Sequence, residues 1–125
     1  MDLEFIPMRE VDPEEFIRLH AHPLVRRHMP LCQDDFDLDS CREWIGDKER
    51  MWAEHGIGPW AIRIDGRFAG WGGLQPEDGE ADLGLVLHPD FWGTGKAILE
   101  EIIRWAFNEK GIRSLTILLP PTRKH

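Results

Sequence analysis

Tyrosine is absent from the 125 residues, so no phenol can serve this chain as a general acid or as a base. Cysteine is scarce: Cys32 and Cys41 form no C-x-x-C pair, and no His or Cys cluster has zinc spacing, which argues against a disulfide framework and against an essential metal. Basic residues are outnumbered, 15 Lys and Arg against 23 Asp and Glu, for a net charge of -8. Phosphate backbones are bound by clustered cations, so nucleic acid is excluded as a partner. An acidic surface instead suits cationic small molecules or peptides. No apolar run approaches the roughly 20 residues of a membrane span, and the Met1-Asp2-Leu3-Glu4-Phe5 start has neither the basic nor the apolar region of a signal peptide. A reduced, cytoplasmic protein with no membrane partner is the simplest expectation.

What is present reads as globular material of one domain, residues 1–125, with 42% hydrophobic residues and six Trp and six Phe to build a core. Leu3 to Met8 predicts a first strand. Asp12-Pro13-Glu14-Glu15 predicts a helix start, with Asp as N-cap, Pro in the first turn and acidic residues at the positive helix end. Phe16 and Leu19 point inward, and the helix stops before Pro23. A second helix is expected from Asp39-Ser40, with Ser40 and Glu43 as a capping box, ending near Gly56. Trp60–Ile64, Asp65-Gly66 and Arg67–Trp71 spell a hairpin with a two-residue turn. Regular alternation then sets Trp60 opposite Trp71 and Ile62 opposite Ala69 on one face. A turn is expected at Gln75–Gly79. Glu80 to Leu87 follows as a strand, with Leu83, Leu85 and Leu87 on one face and Asp82, Gly84 and Val86 on the other. Ile98, Leu99, Ile102, Ile103 and Ala106 form the apolar stripe of a long helix, with Glu100 and Arg104 paired on its wet side. Leu115 to Leu119 predicts a last strand, stopped by Pro120-Pro121.

The informative segment is the link between the Glu80–Leu87 strand and the long helix, Trp92-Gly93-Thr94-Gly95-Lys96-Ala97. Glycines at a helix N-terminus let backbone N–H groups converge on an anion, to which the helix dipole adds positive potential. A Walker A loop would need Gly where Asp90 stands and Ser or Thr where Ala97 stands. A dinucleotide fingerprint beginning at Gly93 would need Gly where Ile98 stands. Plain turn chemistry stays open for the loop taken alone.

Around that loop, the run from Gly58 to Leu119 resembles the GNAT acetyl-CoA-dependent N-acetyltransferases. The resemblance lies in the hairpin, the glycine-rich strand after it, Asp82-Leu83-Gly84, His88-Pro89-Asp90-Phe91-Trp92-Gly93-Thr94-Gly95-Lys96-Ala97, and the amphipathic helix ending Trp105-Ala106-Phe107. It is nearest to the branch that acetylates ribosomal-protein N-termini, where Trp stands as Trp92 does here in place of the Gln or Arg of the general Gln/Arg-x-x-Gly-x-Gly/Ala signature. The resemblance implies an α/β (α+β) fold: a mixed, mostly antiparallel sheet flanked by helices. It implies acetyl-CoA as co-substrate, its pantetheine arm on the main chain of Leu85, Val86 and Leu87 and its pyrophosphate on Trp92, Gly93, Thr94, Gly95, Lys96 and Ala97. The implied reaction is direct transfer of acetyl to a primary amine of a small molecule or a protein N-terminus.

Asp82 is the candidate base for that amine, with a solvent-facing strand residue as the alternative. His88, before Pro89, reads as a loop-structural residue, and His20, His22 and His28 as surface or acceptor-pocket residues. Relatives continue past the last strand with a helix and two strands, and that helix commonly carries a Tyr taken as the acid. The fold is therefore expected to be incomplete at its C-terminal end. Two arrangements would cover the strand left at that edge: a longer natural protein, or a second copy of the chain as a homodimer. An acyl-CoA-binding or protein-interaction module with little turnover is the alternative function.

Overall fold

The computed structural model describes residues 2–27, 37–77, 80–112 and 115–117. Five strands form one sheet in the order β1 (Leu3–Ile6), β2 (Pro59–Ile64), β3 (Arg67–Glu77), β4 (Glu80–Leu87) and β5 (Leu115–Ile117). Neighbours are antiparallel except β4 and β5, which run parallel and pair from Ala81–Leu115 to Leu83–Ile117. Helices α1 (Pro13–Ala21), α2 (Pro23–Arg26) and α3 (Leu38–His55) precede β2, and α4 (Gly95–Glu109) follows β4. The fold is therefore the expected mixed α/β class. The expected stretch of strand to Leu119 and its proline stop lie outside the described residues.

Two apolar layers sandwich the sheet. On one face Ile98, Ile102 and Ala106 of α4 pack with Ile62, Ile64, Leu74, Leu83 and Leu87. On the other, Phe16 and Leu19 of α1, Val25 of α2 and Cys41 and Ile45 of α3 pack with Ala61 and Trp71. Burying each such side chain contributes roughly 1.5–3 kcal/mol. Helix α1 starts as its sequence dictates, with Asp12 accepting from the Glu14 N–H at 3.0 Å and Pro13 in the first turn. Helix α3 does not start at the capping box. Its N-cap is Asp37, whose carboxylate accepts from the Ser40 N–H at 2.8 Å; an ionised Asp is as good a cap as Ser and sits one turn earlier. Gly56, in the left-handed region at φ 71°, closes it. In α4, Arg104 pairs with Glu101 at 2.6 Å, one turn earlier by i,i+3 rather than with Glu100.

The hairpin departs from regular alternation. Its turn is as expected, with Asp65 and Gly66 at φ 52° and 80°. Beyond it, Arg63 pairs with Phe68 but Ile62 pairs with Gly70, so Ala69 is an extra residue in β3. This bulge brings Trp71 opposite Ala61 and Trp60 opposite Gly72. The expected Trp60–Trp71 pair is thus split between the two faces: Trp60 contacts Phe5, Trp52 and Trp105, whereas Trp71 contacts Trp44 and His20. The expected turn at Gln75–Gly79 is also narrower, because β3 pairs with β4 as far as Glu77–Glu80.

Candidate functional site

Among the described residues, β4 extends beyond the part of it that pairs with β5. The described β4–β5 pairing ends at Leu83. Towards β3, the carbonyls of Gly84 and Val86 point inward: a Cβ added at Gly72 would lie 2.8 Å from the Gly84 oxygen, and one at Gly70 would lie 2.0 Å from the Val86 oxygen. Main-chain groups alternate along a strand, so Leu85 and Leu87 direct theirs to the other edge. The Leu87 carbonyl accepts from the Trp92 indole N–H at 2.8 Å. Among Leu85, Val86 and Leu87, the Leu85 main chain and the Leu87 N–H therefore face away from β3, while Val86 turns towards it.

At the end of β4 the chain enters a 3-10 helix, Pro89–Thr94, and runs directly into α4. His88 caps that helix: its Nδ1 accepts from the Asp90 N–H at 3.1 Å, as the loop-structural reading anticipated. The His88 N–H donates to the Ala69 carbonyl at 2.8 Å, and its ring meets His22 edge-on at 5.0 Å. The Thr94 hydroxyl donates to the Phe91 carbonyl at 2.6 Å and makes no side-chain cap on α4. The Gly95 N–H donates to the Trp92 carbonyl, so the main chain of the preceding turn closes part of the entrance to α4. Gly93 is exposed and a Cβ there meets nothing within 4 Å, whereas Gly95 is buried at the first helical position. Lys96 and Ala97 are exposed, and Trp92 is 40% exposed.

Asp82 lies on the face of β4 opposite the leucines, half-buried, paired in register with Gln75 of β3 and Thr116 of β5. The same sheet face carries a cluster that the sequence did not reveal. His20 is only 4% exposed, so of its two readings, surface or acceptor-pocket residue, the surface one does not hold. Its Nε2 accepts from the Trp71 indole N–H at 3.0 Å, and burial pulls its pKa down to about 4, so the ring is neutral. Trp44 packs edge-on to both His20 and Trp71. The Lys48 ammonium lies 5.5 Å from the Trp71 ring centroid, and burial lowers its pKa. The spacing of Phe16 and His20, at i and i+4 on α1, was the signal that places His20 inward. Cys41 is buried against the Pro13 carbonyl, and burial raises its thiol pKa to about 11, which removes it as a nucleophile. His28 and Cys32 lie outside the described residues. Among the described residues no group of three or more His, Cys, Asp or Glu is placed to hold a metal, and no helix is long and apolar enough to cross a membrane.

One mixed sheet with α1, α2 and α3 on one face and α4 on the other defines an α/β domain. The model of the acetyltransferase (GNAT) domain family matches residues 2–121, and the chain belongs to that family. Solved structures share the fold at low identity. An acetyltransferase from Agrobacterium tumefaciens superposes with a TM-score of 0.74 at 22% identity, over 97% of this chain and 72% of that one. The Campylobacter jejuni N-acetyltransferase PseH, in complex with acetyl coenzyme A, gives 0.63 at 14% identity, over 93% and 75%. A ribosomal-protein-alanine N-acetyltransferase from Brucella melitensis gives 0.55 at 18% identity, over 97% and 81%.

Proposed function

We propose that the chain binds acetyl-CoA and transfers its acetyl group directly to a primary amine of a small molecule or peptide. The observation that carries this reading is the direct run of β4, through the glycine-bearing turn at Pro89–Thr94, into α4, whose N-terminus carries no side-chain cap. The amide groups of pantetheine would pair with the Leu85 main chain and the Leu87 N–H as an added strand. The pyrophosphate would sit at the loop from Gly93 to Ala97, where the helix dipole and the Lys96 charge favour an anion. The Campylobacter neighbour's complex with acetyl coenzyme A supports this choice of co-substrate.

The thioester is then held beside β4, and the amine nitrogen attacks its carbonyl carbon as the bond to sulfur breaks. The amine must first lose a proton, and Asp82 is the carboxylate that takes it, directly or through water. The chain has no Tyr, so the departing CoA thiolate draws its proton from another donor or from solvent. The chemistry described uses no metal. A homodimer and the cytoplasm remain part of the proposal as its setting.

The decisive experiment is calorimetric titration with acetyl-CoA, CoA and ATP, followed by thiol release over a panel of primary amines. Both CoA forms should bind and ATP should not. Gly93→Val should weaken CoA binding at least tenfold in a folded protein, because its side chain would enter the phosphate's space without touching the core. Equal affinity of this variant, or no binding of acetyl-CoA to the wild type, would overturn the assignment.

A further inference from the structure

The glycines of the central strands differ in why they lack a side chain. A Cβ at Gly70 would lie 2.0 Å from the Val86 carbonyl oxygen, one at Gly72 2.8 Å from the Gly84 oxygen, and one at Gly73 2.5 Å from the Gly58 oxygen. Each is required by backbone packed against it. Gly84 is not. It sits in the middle of β4, between Leu83 and Leu85, and a Cβ there meets nothing within 4 Å among the described residues. Its backbone stays outside the positive-φ region that glycine alone favours. Glycine weakens a strand interior, and where no chain atom demands it the usual reason is the close approach of something else.

The direction of the opening follows from the register. Gly84 shares its face with Asp82 and Val86, opposite the leucines that pack on α4. Val86 packs into the layer of Phe16 and Trp71, and closes the opening on one side. Asp82, half-buried, borders it on the other. From Asp82 to Val86 the strand advances about 13 Å, which leaves room for one slender chain over Gly84. The nearest charge on that face of β4 is a carboxylate, and the whole chain is anionic, so the fitting visitor is an ammonium group rather than an anion. The Leu85 main chain and the Leu87 N–H, which suit the pantetheine arm, lie beside Gly84 and face away from β3.

We propose that Gly84 is the point on β4 where the acceptor amine reaches the acetyl group, and that its missing side chain provides the acceptor's way in. The inference rests on the acetyltransferase reading above. It places the acceptor on the Asp82 face and the pyrophosphate loop well away from it, so a side chain at position 84 shuts out the acceptor and leaves acetyl-CoA bound.

The test uses Gly84→Val and Gly84→Cys in the full chain. Among the described residues neither substitution meets an atom at Cβ, and both residues suit a strand better than glycine, so both variants should fold with a melting midpoint at or above that of the wild type. Gly84→Val should bind acetyl-CoA within about threefold of the wild-type affinity. In Gly84→Cys the introduced thiol takes the acceptor's place. It loses its proton, attacks the acetyl carbonyl and releases CoA as thiol, so intact-mass measurement should show one acetyl group gained, mapped to residue 84. The wild type, which keeps Cys32 and Cys41, is the control and should gain none there. An unmodified position 84 in a variant that still binds acetyl-CoA overturns the inference and leaves the acetyl-CoA assignment standing. Loss of acetyl-CoA affinity in Gly84→Val also overturns it, by placing residue 84 under the co-substrate. Failure of the wild type to bind acetyl-CoA brings down both.

Discussion

The indole N–H of Trp71 donates to Nε2 of His20 across 3.0 Å in the layer between the sheet and α1. The bond needs Nε2 unprotonated, and burial holds the His20 pKa down to about 4 against an ordinary value of 6.5. The unfolded chain therefore takes up a proton between these values that the folded chain refuses. Stability from this group is complete above pH 6.5 and declines as the pH falls towards 4, by about 3 kcal/mol in all. Denaturant titrations from pH 7 to pH 4.5 should show this loss. His20→Gln, which can still accept the Trp71 bond but does not titrate, should flatten it relative to the wild type. Parallel pH curves for the two proteins would refute the assignment.

Two glycines should respond to alanine in opposite directions. Gly70→Ala places a methyl 2.0 Å from the Val86 oxygen at φ 154°, and should cost roughly 3 kcal/mol. Gly46→Ala, inside α3 with only ordinary contact to Arg50, should gain up to about 1 kcal/mol. Urea midpoints followed by tryptophan fluorescence will separate them.

At the start of α3, Asp37→Ala should lower the thermal midpoint more than Ser40→Ala does, because Asp37 supplies the cap oxygen, to which Ser40 donates both its backbone N–H and its hydroxyl. The hydrogen bonds from Ser40 lower the Asp37 pKa, so the cap's contribution should fade as the pH drops through the acid range. An equal loss in both variants would point to the capping box instead.

Asp82→Asn should lower the rate of amine acetylation by about 10²-fold with acetyl-CoA affinity retained. Single-turnover thiol release checks the first part and calorimetry the second. A near-normal rate would remove Asp82 from the chemistry and leave deprotonation to water or to the substrate itself.

The parts of this molecule legible in its sequence are those that local chemistry decides. Asp12-Pro13 opens α1, Asp65-Gly66 turns the hairpin, and the alternation of Leu83, Leu85 and Leu87 assigns the faces of β4. The loop from Trp92 to Ala97 stands out because its glycines precede an apolar helix stripe. What escaped depends on partners distant in the chain. His20 is buried by Trp71, which is 51 residues away. The difference among Leu85, Val86 and Leu87 follows from which edge pairs with β3. Only the surroundings show that Gly70 is forced and Gly84 is not.

The extra residue in β3 has a consequence beyond the sheet's alternation. Phe68, Gly70 and Trp71 would still alternate if Ala69 were deleted, so every later side chain could keep its layer. What the deletion would remove is a carbonyl aimed at the His88 N–H, 2.8 Å away. Ala69 is thus a mooring point. It fastens the hairpin to the residue from which the loop into α4 departs, so the loop's starting position is inherited from a strand two neighbours removed from the sheet's end. A hairpin pulled slack at this one residue would leave both cores filled and the entrance to α4 adrift.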